Sequence, residues 1–143
     1  MHSQYVVTGS TRSGVAVHDL RKIGRKTAEP VVTLDIHNKS VTAAYVSPDG
    51  KYIVSVSMDD TVKVTSNFLF APSTISITPT TKPSPSPQTT VIHHNNQTGR
   101  WLSTFRPSFD PKRDSVFVMG SMMQPRRMEI YNIGVGKADG GPK

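Results

Sequence analysis

Arginine, tryptophan and paired polar residues are where this sequence could do chemistry. Arg126 and Arg127 are adjacent after Pro125, and Arg100 precedes the sole tryptophan, Trp101. A guanidinium is a planar fork of donors that fits phosphates and guanine edges. A planar apolar ring beside it can fill space between bases. Other pairs promise less. His93 and His94 would point to opposite sides of a strand and cannot share a metal. Asp59-Asp60 has the character of a tight turn, not of an acid/base dyad. Gly136-Lys137 is no phosphate loop, because Tyr131 stands where that motif needs its first glycine and Ala138 where it needs Ser or Thr. No nucleophile–base pair, metal-ligand set or acid/base carboxylate pair is in a workable arrangement, so an enzyme is the least supported class and no cofactor is expected.

Composition narrows the partner. Lys+Arg is 17 against Asp+Glu 10, a formal charge of +7 with a pI near 9.9. That balance favours a polyanion such as nucleic acid. Cysteine is absent from the 143 residues, which removes disulfides, thiolate zinc sites and a cysteine nucleophile and fits an intracellular protein. No apolar run approaches the ~20 residues of a membrane helix, and no signal-peptide h-region opens the chain. Neither a membrane nor a small-molecule substrate is expected as a partner.

The elements that must position these residues are short strands. Runs rich in β-branched and aromatic residues at 4–8, 14–18, 31–36, 41–46, 52–56, 61–64, 115–119 and 127–131 are separated by turn signals, among them Arg12-Ser13-Gly14, Ser47-Pro48-Asp49-Gly50, Asp59-Asp60 and Asp110-Pro111-Lys112. Val62 and Val64 alternate with Thr61 and Lys63. Met128 and Ile130 alternate with Arg127, Glu129 and Tyr131. This is the pattern of antiparallel strands with one buried face, and the apolar pair is expected on the core side. Between them, 15 of the 20 residues over 71–90 are Pro, Ser or Thr. Such a stretch cannot offset its ordering entropy and is expected to be a disordered loop. The 134–143 stretch reads as a flexible tail. The division is therefore 1–70, the loop 71–90, 91–133 and the tail.

The strand signal repeats. VTGSTRSGVAVHD, VSVSMDDTVKVTS and VMGSMMQPRRMEIYN superimpose as strand, tight turn, strand, with Ser10, Ser57 and Ser121 equivalent. Their spacings are 47 and 64 residues, and the excess of about 17 is close to the length of the Pro/Ser/Thr stretch. A period of ~40–45 residues with four short strands describes a propeller blade. An open stack leaves blade faces uncovered, so the isolated chain is expected to be marginally folded.

His18-Asp19-Leu20-Arg21 stands where a Trp-Asp dipeptide closes a WD blade, with His in place of Trp. HNNQTGRWL (94–102), FDP (109–111) and GSMMQPRRMEIY (120–131) resemble the WD-repeat family of WD repeat-containing protein 76 and damage-specific DNA-binding protein 2. The resemblance covers 4–65 and 93–132 and departs at Thr65-Ser66, where a closing dipeptide is missing. It implies an all-β, partial WD-repeat β-propeller of about two and a half blades. It also implies a non-enzymatic nuclear protein that binds DNA, damaged or modified duplex included, and chromatin in the DNA damage response. The same family implies a substrate receptor for a cullin-4 ubiquitin ligase. The alternative is a pure protein-interaction scaffold without direct DNA binding.

In WD blades the turns divide between two ends. One end receives Arg12, Lys39, Arg100, Arg126 and Arg127, opposed by Asp59 and Asp60; the resemblance makes it the DNA end. The family's inserted tripeptide falls on Gly99-Arg100-Trp101. The alternative there is that Trp101 packs between blades and Arg100 is a solvated turn charge. The other end receives Arg21, Lys22, Arg25, Lys26, Lys51, Lys112 and Arg113, offset by Asp49, Asp110 and Asp114. Asp19-Leu20-Arg21 matches a signature whose arginine contacts the cullin-4 adaptor in similar WD proteins. An ion pair that only tidies the blade edge is the alternative. His37 and His94 are expected to make the buried hydrogen bonds that histidines make at this place. Thr78-Pro79, Ser84-Pro85 and Ser86-Pro87 are candidate proline-directed phosphorylation sites.

Overall fold

A computed structural model describes residues 4–12, 14–24, 29–70, 86–99 and 104–133. Ser13, Arg25, Lys26, Arg100, Trp101, the 71–85 part of the Pro/Ser/Thr stretch and the 134–143 tail lie outside the described residues. The described chain is all-β: ten strands and one short 3-10 turn, Phe68–Phe70. Three antiparallel sheets follow one another along the chain. The first holds β1 (Tyr5–Gly9), β2 (Gly14–Asp19) and β3 (Val32–Asp35). The second holds β4 (Val41–Val46), β5 (Tyr52–Ser57), β6 (Thr61–Ser66) and β7 (Gln88–His93). The third holds β8 (Ser108–Asp110), β9 (Arg113–Ser121) and β10 (Arg127–Asn132). In blade terms these are strands b–c–d, a complete a–b–c–d, and a–b–c, an unclosed run of propeller.

Each repeated unit is a hairpin, as the sequence pattern requires. Ser10, Ser57 and Ser121 occupy the same turn position. In each, the serine Oγ accepts a hydrogen bond from the amide two residues on: Arg12 at 3.0 Å, Asp59 at 3.3 Å and Met123 at 3.2 Å. One strand was not anticipated: β7 is uncharged, follows the Pro/Ser/Thr stretch and carries little apolar alternation. The strand that ends at the Pro111 turn, β8, is only three residues long. β7 opens at Gln88, so the last three residues of the 71–90 stretch are strand. β7 pairs with β6 from Thr61↔His93 to Ser66↔Gln88. The second blade is thus completed from beyond the insertion.

The core lies between sheets. Val15, Val17, Val32 and Leu34 of the first sheet pack with Ile53 of the second and with Phe68 of the 3-10 turn that follows β6. Val54, Val56, Val62 and Val64 on the far side of the second sheet pack with Phe117 and Met119 of the third. A close approach at Gly9 joins the first two blades: a Cβ there would sit 2.8 Å from Val41 Cγ1, so a side chain would force the sheets apart.

The alternation in β10 is real, but its sense is opposite to the expectation. Met128 is 71% and Ile130 75% exposed. Tyr131 faces inward and stacks on Phe117, with ring centroids 5.0 Å apart. The reason is positional. From the serine-anchored register, Val15 and Val17, then Val62 and Val64, then Met128 and Ile130 hold the same place in successive blades. The first two pairs are covered by the following sheet. The third pair faces where a following sheet would lie.

Candidate functional site

The turns at one end of the stack are stitched into one surface. Val41 N donates to Ser10 O at 3.0 Å and Ser40 Oγ to Thr11 O at 2.9 Å, joining the first two blades. Ser57 Oγ donates to Lys39 O at 3.1 Å. Gln97 Nε2 donates to Met58 O at 3.1 Å, and Asn96 Nδ2 to Ser57 O at 2.8 Å, which carries the surface to the third blade. Arg12, Lys39, Gly99, Arg126 and Arg127 all lie on this end and are exposed. Gly99 has φ 70°, a left-handed turn that glycine adopts at little cost. Lys39 and Arg126 make no ion pair among the described residues. Arg127 differs: its Nε donates to Glu129 Oε1 at 3.1 Å.

The two opposing carboxylates are turned inward. Asp59 Oδ1 accepts from Thr61 Oγ1 at 2.6 Å and Thr61 N at 3.1 Å. Its Oδ2 accepts from Asn38 N at 2.9 Å and lies 3.1 Å from His37 Nδ1. Asp60 Oδ1 accepts from Asn96 N at 3.0 Å and from Gln97 Nε2 at 3.3 Å. Both carboxylates serve as acceptors for the turns, while Lys39 and Arg126 on the same end are exposed.

Beneath this surface sits a buried polar relay. His37 Nε2 lies 2.8 Å from Ser55 Oγ, and Nδ1 faces Asp59. An ionised carboxylate only accepts, so the Asp59 contact places the ring proton on Nδ1. The Ser–His–Asp connectivity is that of a nucleophilic triad. Ser55 is 0% exposed, however, so no substrate reaches its hydroxyl and the relay is architectural. The third blade is wired differently. Met119 and Met123 stand at the places of Ser55 and Asp59, and His94 Nδ1 turns to its own loop at Asn96 Oδ1, 2.7 Å away. Among the described residues its Nε2 has no hydrogen-bond partner; it lies 3.9 Å from Glu129 Oε2. The expected buried bonding of both histidines is present, complete for His37 and half complete for His94.

At the other end the geometry is an ion pair. Arg21 donates from Nε to Asp19 Oδ1 at 3.0 Å and from Nη2 to Asp19 Oδ2 at 2.7 Å, and the Arg21 amide adds a third bond. The Asp19 side chain is 3% exposed and that of Arg21 is 60% exposed. The blade-edge pair is therefore formed, and it holds an accessible guanidinium in a fixed orientation. Leu20, Ile23 and Leu69 are exposed on neighbouring turns. Lys51 pairs with Asp49 at 3.0 Å on the same end. A cleft of about 240 Å³ lies between Lys51, Tyr52, Phe68 and Leu69. It is smaller than the usual ligand pocket of roughly 300–1,000 Å³, and its mainly apolar walls offer no acid/base pair.

The titrating groups set an acid limit. Hydrogen bonds from the Arg21 side chain and then its amide hold Asp19 at about 2, from an ordinary 3.8. Burial alone would raise Asp59, but Thr61, Asn38 and His37 outweigh it and hold that carboxyl far below the usual range. The Tyr131 hydroxyl, at 2.5 Å, is the main reason Glu129 is lowered. Burial pushes His37 below its ordinary 6.5 against the pull of Asp59. Carboxyls lowered by folding stabilise the fold above ~4, and that contribution is lost as pH falls through the folded values. A histidine lowered by folding takes up its proton first in the unfolded chain, so stability also declines as pH falls through 6.5. Unfolding midpoints measured from pH 8 to pH 3 are expected to drop in these two steps. A midpoint flat to pH 3 would contradict both sets of contacts.

Comparison with known proteins agrees with the architecture. Residues 28–66, spanning β3 to β6, match the family model "WD domain, G-beta repeat". The chain is 40% identical over 128 residues to WD repeat-containing protein 76 of Xenopus laevis, covering 89% of this chain and 20% of that protein. Identity to the Mus musculus protein of the same name is 37% over 130 residues, 90% of this chain and 19% of that protein. DNA damage-binding protein CMR1 of Chaetomium globosum is 31% identical over 122 residues, 82% of this chain and 23% of that protein. The chain spans about a fifth of the length of these relatives. In shape it matches a chain of the structure titled "Crystal Structure of Mitotic Checkpoint Complex" with a TM-score of 0.58, over 96% of this chain and 36% of that one. At 17% identity that likeness shows the fold alone.

Proposed function

Since the chain is a stretch of WD-repeat β-propeller, we propose that it belongs to a nuclear, non-enzymatic protein that binds DNA on the cationic turn end in the damage response. The observation that carries this reading is the inward use of Asp59 and Asp60. With both carboxylates held by the turns, Lys39 and Arg126, which make no ion pair among the described residues, are left to meet phosphates. The similarity to a DNA damage-binding protein supports the same partner. Arg100 and Trp101, next to Gly99 in the sequence, are proposed as further contacts to duplex. The opposite end is proposed to dock the adaptor of a cullin-4 ligase through Arg21, oriented by Asp19, with chromatin proteins as substrates or neighbours. Exposed Leu20 and Ile23 beside Arg21 favour a protein partner there. They are also what a pure interaction scaffold would rest on.

Two charge reversals separate the readings. Lys39→Glu with Arg126→Glu is expected to weaken DNA binding and to reduce the slope of log K against log salt by about 2, leaving adaptor pull-down intact. Arg21→Glu is expected to do the reverse. DNA binding that ignores both salt and the double reversal would leave the scaffold reading in place.

A further inference from the structure

The β9–β10 turn is longer than its counterparts and ends in an apolar side chain. Three residues separate Ser57 from its strand partner Thr61, and three separate Ser10 from Gly14, to which it hydrogen-bonds. Five separate Ser121 from Arg127. At the place where the second blade carries the inward-turned Asp59, this turn carries Met123, 51% exposed. Among the described residues, no other turn on the cationic end displays a large exposed apolar side chain.

Met123 is also held. Its amide donates to Ser121 Oγ at 3.2 Å, and Arg127 Nη2 reaches its Sδ at 3.6 Å. Arg127 is fixed by Glu129 Oε1 at 3.1 Å, Glu129 Oε2 accepts from Tyr131 Oη at 2.5 Å, and Tyr131 stacks on buried Phe117. A chain of contacts therefore runs from the core between the second and third blades to the tip of the turn. An exposed thioether among cations gains nothing from water, and its fixing restricts a side chain that would otherwise be free. Both features make sense if the side chain is presented to a partner. Apolar side chains of this size, methionine included, enter between base pairs whose stacking is weakened, while neighbouring cations hold the phosphates.

We infer that Met123 is an apolar contact to an unstacked base step in duplex DNA, that Arg126 beside it binds the adjoining phosphate, and that Arg127 is a positioning residue for Met123. This rests on the DNA reading of the cationic end and assigns its selectivity for distorted duplex to this turn. Arg127, a candidate phosphate ligand by sequence, is reassigned because its guanidinium is already committed to Glu129 and Met123.

The test measures binding of the full chain to two short duplexes, fully paired and with one mismatched step, across a salt series. The wild type is expected to prefer the mismatched duplex. Met123→Ala should lose most of that preference, on the order of tenfold, with an unchanged salt slope, while Met123→Leu retains it. Arg126→Ala should weaken binding to both duplexes and lower the slope by about 1. Arg127→Gln should reduce the preference more than the slope. Unfolding midpoints of all four variants exclude a folding defect, which substitutions at an exposed tip should not cause. Met123→Ala with the full preference, or a wild type that shows none, overturns the inference. If Arg126→Ala and Lys39→Glu also leave binding and slope unchanged, the DNA reading falls with it. If they weaken binding, that reading stands without the Met123 contact.

Discussion

Asp59→Ala is expected to remove about 2–4 kcal/mol of stability, the cost of leaving several poorly hydrated hydrogen-bond donors without their acceptor. The Asp59 side chain is 6% exposed. It accepts from Thr61 Oγ1, Thr61 N and Asn38 N, and faces His37. Alanine deletes the acceptor and leaves these donors short of partners in a site that water enters poorly. It also releases the His37 ring, whose other nitrogen holds Ser55, so the link between the β3–β4 connection and the second blade loosens. A marginal repeat segment has little more stability than this to lose. Loss of a cooperative urea transition, or a midpoint lowered by that amount with the slope unchanged, is the expected result. Asp60→Ala is the comparison: Asp60 has no contact to the histidine and binds exposed Gln97, so its cost should be smaller. Equal, small effects of both substitutions would mean that the relay does not hold the blades together.

Phe117→Ala is expected to cost about 3–5 kcal/mol through the cavity it leaves. Phe117 is 1% exposed and packs with Val54, Val56, Val62 and Val64 across the interface of the second and third blades. Its ring stacks on Tyr131 and meets Phe109 edge-on at 5.9 Å. Phe117→Leu refills part of the space and should cost roughly half as much or less. Met128→Ala supplies the contrast. It removes a comparably large apolar side chain, but one that is 71% exposed, so its effect in this chain should stay within about 0.5 kcal/mol. A Met128→Ala penalty as large as that of Phe117→Ala would show that something already covers the outer face of β10. The loss of Phe117 should also loosen the Tyr131–Glu129–Arg127 chain that fixes Met123.

Much of the blade is written locally. The hairpins of β1–β2, β5–β6 and β9–β10 follow from short β-branched runs around serine-anchored turns, and both signals lie within about 15 residues. Repetition of that unit identified the architecture, since a β-strand has a period of two wherever it occurs and only recurrence of whole units distinguishes blades. The division of cations between two ends followed from the same repeat, because turns alternate between the ends of a meander. β7 escaped notice because an outermost strand is exposed on most of its residues, so Gln88–His93 carries little apolar alternation to read.

What the sequence by itself determined is the strand-and-turn unit, its recurrence, and the end of the stack on which each turn falls, since these depend on pleat, turn chemistry and spacing alone. Only the tertiary structure decided which side of each strand is core. Met128 and Ile130 alternate as regularly as Val62 and Val64, yet burial depends on whether another sheet covers that side, and no local pattern encodes a neighbour. It likewise decided what the charges do. Asp59 and Asp60 read as surface opposition to the arginines, and Arg127 as a free cation. Folding brought His37, Asn38 and Asn96 from distant positions onto the two aspartates, and Glu129 two residues along β10 onto the arginine. The charge that remains for a partner is what survives this internal pairing, and the pairing is set by contacts across blades.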